Sequence, residues 1–485
     1  MNYLGIDIGS SGCKAAVFDA SGRCLGAAHR AYATLRPEPG RVELDSGGVI
    51  DSCLAAMAEA ARECGAVRAL AVSSQGEAFT PVDAAGNCLG NAMISSDSRA
   101  LELLDAAVEE FGAERLYRIT GHTPSAMFSL FKLLWLKQNQ PEIQKRAARF
   151  LCFEDLLMLR LGVDPAMGWP LAGRTMLFDV NTHTWSREIL DFAGLDESRL
   201  ARPLPSGGIA GTVAAGFGPL SGAKVVAGGH DQVIGALGAG VVAPGRAMYA
   251  AGSVECLCPV LPRLVLDDRL RRNNLCCYDY ALPDRYTSVA YSLTGSNLLQ
   301  YFKEQFARET SYEELIGELP EAPTELLALP YFTPSGTPYF DARTPGAVLG
   351  WRLSTSRGEL LKALLEGIAL EMKLNLSLLE ESGMAIGGLT ATGGGCRHRT
   401  LVQLKADVLG KPIEQTGIGE AGCRGAALLA ESADTGRPAE ELAARESGPV
   451  VAPDPERAER YRRKFAQYRE FYRGVRELSG ATAGR

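Results

Sequence analysis

The strongest constraint on this chain is an acidic residue set inside an apolar strand. The run Tyr3-Leu4-Gly5-Ile6-Asp7-Ile8 has the character of a buried strand, yet it contains a carboxylate. Burying a carboxylate is costly unless something compensates it, and a metal ion is one such partner. A turn follows, Gly9-Ser10-Ser11-Gly12, and then a second strand, Ala15 to Asp19. The turn offers backbone N–H groups, two hydroxyls and, just beyond it, Lys14. Together these suit phosphate oxygens. A tight hairpin with Asp7 hydrogen-bonded locally is the other reading of the same residues. Asp19-Ala20-Ser21-Gly22 turns the chain into a third strand from Cys24 to Ala28. A helix from Val49 to Glu63 and a strand from Ala69 to Ser73 come next. Strands, helix and strand in that order predict an α/β layer with a mixed sheet.

A second α/β unit is legible further on. Ala247 to Ala251 and Glu255 to Val260 read as a hairpin around Gly252-Ser253, and Leu389 to Thr392 as a strand entering Gly393-Gly394-Gly395. Arg399 to Leu409 reads as a helix. The span from Arg357 to Glu381 carries apolar residues at helical spacing and is closed by Gly383. A chain of 485 residues is expected to hold at least two domains. The boundary is expected at Pro244-Gly245, giving units 1–244 and 245–485. The last segment, Pro455 to Leu478, spaces Tyr461, Phe465, Tyr468, Tyr472 and Val475 as an amphipathic helix that packs on the body. A partner-binding helix is the alternative.

Composition excludes some functions. A net charge of −7 argues against broad nucleic-acid or membrane-surface binding, which needs a basic field. No apolar run approaches the length of a membrane span, and Asp7 interrupts the only apolar start, so no signal peptide is expected. The twelve cysteines show no zinc-site spacing and read as reduced thiols of a cytoplasmic enzyme. Five dispersed histidines give no metal motif.

Three more segments carry candidate chemistry. Gly228-Gly229-His230-Asp231-Gln232 precedes a helical run from Val233 to Gly240. There Asp231 is expected ionised by the helix dipole and able to act as general base; a plain helix cap is the alternative. Three glycines before Cys396-Arg397-His398 allow close approach of a ligand. Ser73-Ser74-Gln75-Gly76-Glu77 and Ser95-Ser96-Asp97-Ser98-Arg99 are polar, as a sugar site requires, although each taken singly reads as a solvated loop. The chain has no GxxxxGK[ST] phosphate loop. Its one relaxed dinucleotide fingerprint, 238–243, is followed by Pro244, which blocks a helix there.

In this order and spacing, the motifs around Asp7, His230-Asp231 and Gly393-Gly394-Gly395 resemble the FGGY carbohydrate kinases, over residues 3 to about 434. The segment from Ile119 to Trp135 is closer to the xylulokinase branch. The resemblance implies two ribonuclease-H-like domains of the actin and hexokinase type flanking a cleft. The reaction implied is ATP-dependent phosphorylation of a sugar hydroxyl. It places Asp7 near Mg²⁺, and Ser10, Ser11, Gly12 and Lys14 on the first phosphate loop. Gly252 and Ser253 match the second loop, where threonine is more usual. Gly295 matches a nucleotide-contacting glycine, Gly394 meets adenosine, and His398 stands where relatives often have Asn. Asp231 matches the catalytic base, and Gln75, Glu77, Asp97 and Gln232 fall at the sugar site. Glycerol kinases carry Arg-Glu where this chain has Gly76-Glu77, and Tyr where it has Met127. Xylulokinases usually carry Met-His at 76–77. The expected acceptor is therefore a ketose such as xylulose. The alternatives are a kinase for another polyol or aldonate, an actin-like ATPase without sugar kinase activity, a nicotinamide-dependent enzyme and an inactive sugar sensor. A homodimer is left open.

Overall fold

In the computed structural model, which describes residues 1–444 and 447–480, Asp7 lies one residue from the end of an interior strand of a six-stranded sheet. Residues 481–485, the end of the expected second domain, lie outside the described residues. The sheet comprises β1 (Asn2–Ile8), β2 (Gly12–Asp19), β3 (Cys24–Ala31), β4 (Val67–Ser74), β5 (Ile209–Thr212) and β6 (Lys224–His230). Their order is β5-β6-β4-β1-β2-β3. Strands β1, β4 and β6 run parallel, β1 to β3 form an antiparallel meander, and β5 is an antiparallel edge. Helix α1 (Ser46–Ala61) buries Val49, Ile50, Cys53, Met57 and Ala60 on one stripe against β2 and β3.

The pattern then repeats. Strands β7 (Arg246–Ala251), β8 (Glu255–Pro259), β9 (Ala290–Ser292), β10 (Gly388–Thr392), β11 (Ile413–Gln415) and β12 (Val450–Val451) form a second sheet in the order β9-β8-β7-β10-β11-β12. Again a three-strand meander joins two parallel strands and an antiparallel edge. This is a two-domain α/β fold with mixed sheets, as the sequence predicts.

The remaining helices that matter to the site are α2 (Trp169–Gly173), α3 (Asp231–Gly238), α4 (Ser296–Phe306), α5 (Arg357–Glu381), α6 (Arg399–Leu409), α7 (Ala421–Thr435) and α8 (Pro455–Leu478). Local signals set several of their ends. Ser356 accepts from the Glu359 N–H and Glu359 Oε2 accepts from the Ser356 N–H, a capping box that starts α5. Asp454 caps α8, with Pro455 at its first position. Helix α8 packs on the body through buried polar contacts as well as apolar ones. The hydroxyl of Tyr461 donates to Glu366 at 2.7 Å and that of Tyr468 to Glu371 at 2.5 Å. All twelve cysteines are free, and most are buried. No described helix is long and apolar enough to cross a membrane.

Helix α7 comes between β11 and β12 of the second sheet in sequence but packs over β1 and β4 of the first, alongside α3. Glycine makes this approach possible. A Cβ on Gly5 would lie 1.8 Å from the Cys423 carbonyl oxygen, and one on Gly425 would lie 1.9 Å from that of Ile234. Gly425→Val is therefore expected to destabilise the fold by about 1–3 kcal/mol, the cost of overpacking. Gly474→Ala in α8, where nothing lies within 4 Å, should gain up to about 1 kcal/mol. Urea denaturation of both variants checks the pair; equal stability for the two would contradict the packing described.

Candidate active site

The C-terminal ends of the parallel strands β1, β4 and β6 bring Asp7, the loop 73–77 and His230-Asp231 together. Asp7 pairs across the sheet with Lys14 on one side and Ser73 on the other. Its Oδ1 accepts from Ser73 Oγ at 2.6 Å. Burial raises the Asp7 carboxyl above the usual range, against the opposing pull of Ser73 and Lys14. The first turn of α7 abuts it: a Cβ on Gly422 would lie 2.7 Å from Oδ2. Lys14 Nζ also pairs with Glu420 at 3.0 Å, just before that helix. Ser10 and Ser11 are exposed at the tip of the turn. Gln75 Nε2 and the Tyr32 hydroxyl both hold the Gly9 carbonyl, at 3.0 Å and 2.5 Å, which fixes the turn from below.

Asp231 is the first residue of α3. The expectation that the helix dipole keeps it ionised is corrected here. Burial, and after it the charge of Asp7, push its carboxyl up to about 7. One helix terminus does not offset desolvation together with a second carboxylate. His230 Nδ1 lies 2.8 Å from the Tyr278 hydroxyl and its Nε2 3.3 Å from Asp231 Oδ1. Gln232 Oε1 accepts from Cys256 Sγ at 2.8 Å, which ties the start of α3 to β8 of the second sheet.

A cavity of about 480 Å³ opens beside the second sheet. Gly252, Ser253, Gly295, Gly394 and His398, dispersed over 147 sequence positions, all line it. Leu299, Ile316, Leu365, Ile368, Leu401 and Leu404 give it apolar walls, which suits a flat base. Gly295 precedes α4 and packs under the hairpin turn: a Cβ there would lie 2.6 Å from the Gly252 carbonyl oxygen. A Cβ on Gly394 would meet nothing within 4 Å, so its backbone faces open space. His398 caps α6, its Nδ1 accepting from the Thr400 N–H at 3.3 Å. The sequence reading missed the Lys405–Glu255 ion pair at 2.5 Å on the cavity floor, because the partners are distant in the chain.

The segment 73–77 is not solvated, whereas in 95–99 Ser96 is exposed and only Asp97 is buried. Gln75, Gly76, Glu77 and Asp97 are all buried. Glu77 pairs with Arg174 and accepts from Ser95 Oγ at 2.6 Å. Asp97 lies close enough to the buried Lys132 to act on its charge, as Glu77 does. The Asp97 carboxylate accepts from the Val42 N–H at 2.7 Å and from Arg99 at 2.7–3.0 Å, and Arg99 also pairs with Glu43. Lys132, buried between the loops, donates to the backbone of Glu77 and Met93; burial lowers it to about 8. Residue 127 is Met rather than an aromatic, but an aromatic stands beside it: the Tyr291 hydroxyl, from the second sheet, lies 3.9 Å from Met127 Sδ. Arg174, His122, Tyr278 and Tyr291 carried no local motif and were not anticipated.

The residues present fit a divalent cation of the Mg²⁺ kind. Asp7 and Asp231 are both raised carboxyls in one site, and Asp7 destabilises the charge of Asp231. A cation relieves that. Among the described residues no group of three or more ligating side chains exists.

Models of the FGGY family of carbohydrate kinases match the chain over residues 2–238 for the N-terminal domain and 269–433 for the C-terminal domain. A xylulose kinase of Bacillus subtilis is 25% identical, with 99% of both chains covered. A glycerol kinase of Thermus brockianus is 31% identical over 88% of this chain and 90% of its own. Among solved structures, a xyloylose kinase from Brucella ovis superposes with a TM-score of 0.90 at 26% identity, covering 99% of this chain and 100% of that one. A gluconate kinase from Lactobacillus acidophilus superposes at 0.92 with 21% identity, covering 99% of each.

The electrostatic coupling gives a direct test. In the ligand-free protein Asp231 should titrate at about 7, and Asp7→Asn should move that midpoint down. Carbon NMR of labelled aspartate carboxyls reads both. An Asp231 midpoint at the ordinary carboxylate value, unmoved by Asp7→Asn, would contradict the coupling.

Proposed function

Because the chain belongs to the FGGY family of carbohydrate kinases, we propose that it transfers the γ-phosphoryl group of ATP to a hydroxyl of an uncharged ketose, with a pentulose such as xylulose ahead of glycerol and gluconate. The observation that carries this reading is the division between the sheets. A cavity of nucleotide size adjoins the second, and two buried carboxyls, Asp7 and Asp231, stand at the strand ends of the first. The same division supports two units meeting near residue 244, with α7 reaching back from the second to the first.

In this reading Ser10, Ser11, Gly12 and Lys14 face the phosphates from one side and Gly252 and Ser253 from the other. Gly295, Gly394 and His398 border the nucleoside. Mg²⁺, held through Asp7 directly or by water, supplies charge neutralisation for the phosphoryl group. Asp231 takes the proton of the acceptor hydroxyl. A carboxyl at about 7 is well matched to this, since a base works best with a pKa near the operating pH. Gln75, Glu77 and Gln232 border the acceptor, and Asp97 supports that wall through Arg99. Tyr291 against Met127 helps exclude water that would otherwise take the phosphoryl group.

Charge supports an uncharged acceptor. Arg174 offsets Glu77, and His122 and His230 are held neutral by burial and by the nearby guanidinium. An aldonate carboxylate would join Asp7 and Asp231 while the nearby Arg174 and Lys14 are already paired with Glu77 and Glu420. Glycerol is the second reading, favoured by the 31% identity to a glycerol kinase.

The test is ADP release, in the presence of Mg²⁺, with xylulose, ribulose, fructose, glycerol and gluconate. Xylulose or another ketose should give the highest kcat/KM. Glycerol or gluconate coming out highest would overturn the substrate proposal. Asp231→Ala should lower kcat by roughly 10²–10⁴-fold while ADP binding by calorimetry is retained. Near-normal turnover in the folded variant would remove Asp231 from the chemistry.

A further inference from the structure

Arg174 is a buried cation that the proposed chemistry leaves without a role. It follows directly on α2 and is 7% exposed. The guanidinium is fixed on two sides. Nη2 donates to Glu77 Oε1, and Cζ lies 5.0 Å from the centre of the Phe128 ring. A guanidinium has five N–H donors, and the protein fills few of these. Nε is fully enclosed and makes no hydrogen bond. Nη1 also makes none among the described residues and, unlike Nε, is not enclosed. Unfilled donors on a buried charge are costly, so this arrangement is not explained by stability.

Three local features hold the arginine where it is. Gly76 makes room for it: a Cβ there would lie 3.2 Å from Arg174 Cβ, from Arg174 Nε and from His230 Cδ2. That one gap puts the guanidinium beside the residue preceding Asp231. Glu77 adopts a φ of +64°, uncommon for a residue with a side chain, and so aims its carboxylate at Arg174. Ser95 fixes the other carboxylate oxygen. A second unpaired buried atom adjoins the same aromatic ring. His122 Nδ1 lies 2.8 Å from the Thr120 carbonyl oxygen and so carries the proton, which leaves Nε2 as an enclosed acceptor without a partner. The His122 and Phe128 rings meet edge to face at 5.1 Å.

We propose that Arg174 is a specificity-determining residue of the acceptor pocket, whose Nη1 donates to a sugar oxygen other than the one phosphorylated. The oxygen it reads belongs to an uncharged carbonyl or hydroxyl, because Glu77 already neutralises the cation. Gly76 is the position that admits the arginine, and Glu77 positions it. This inference rests on the carbohydrate kinase reading above and names one contact within it.

The experiment compares the best acceptor with analogues each lacking one oxygen, in wild type and in the double variant Glu77→Gln/Arg174→Gln. The double variant removes both charges together, so no buried ion is left unpaired. In wild type, loss of the oxygen that Arg174 reads should lower kcat/KM by about tenfold or more, the value of a hydrogen bond to a charged group. In the double variant that discrimination should shrink to about twofold or less, with a raised KM for the full acceptor and unchanged ADP affinity. Gly76→Ala, whose methyl presses on Nε, should shift KM the same way and serves if the double variant does not fold. Undiminished discrimination in a folded variant would overturn the proposal and leave the kinase reading intact. Wild type that phosphorylates no sugar would overturn both, and a wild-type preference for an aldonate would overturn the assignment of an uncharged group.

Discussion

The repulsion between two carboxylates in one poorly hydrated site is the interaction on which the rest of this structure depends. Asp7 comes from an interior strand and Asp231 from the start of a helix, and each is disfavoured in its charged form by burial. The cations nearest them are already engaged, Lys14 with Glu420 and Arg174 with Glu77. A protein bears such a cost where something else brings the positive charge. The arrangement makes sense if a metal–phosphate complex arrives from the second sheet and an acceptor hydroxyl from the first. The raised carboxyl of Asp231 is then a proton acceptor suited to neutral pH.

Much of the fold serves to hold that site between two copies of one sheet pattern. In both copies the turn of the first hairpin, after β1 and after β7, carries the small residues assigned to phosphate. Helix α7, between β11 and β12 in sequence, lies over β1 and β4 of the first sheet, and it does so through glycines that let backbone touch backbone. The same helix presents its first turn to Asp7, where its dipole favours the carboxylate. Gln232 to Cys256 and Met127 to Tyr291 add side-chain contacts across the halves, close to the reacting groups.

The sequence was most readable where function is written in short, contiguous motifs. The strand–turn–strand around Asp7, the glycines at 393–395 and the helices at 357–381, 399–409 and 455–478 all stand where the pattern puts them. The resemblance to the family also picked out Gly252, Ser253, Gly295, Gly394 and His398, which line one cavity. The acceptor pocket was less legible. The polar segment 73–77 and the residue Asp97 look solvated until the partners that bury them are known, and Arg174, Lys132 and Arg99 are those partners. Asp97 illustrates the limit: its carboxylate is engaged by Arg99 and by the Val42 N–H, a partner that no local motif announces. The charge state of Asp231 was misjudged because a helix dipole is visible in sequence and a second buried carboxylate across the sheet is not.

Phosphorus NMR of the protein mixed with ATP, Mg²⁺ and the best acceptor tests the central claim most directly, because it shows where the phosphoryl group goes. The account predicts a sugar phosphate monoester formed in step with ADP, with little inorganic phosphate and little ATP loss when the sugar is omitted. Inorganic phosphate released at the same rate with or without sugar would contradict it. The two carboxylates would then belong to an ATPase, not to a kinase that directs the phosphoryl group to a sugar.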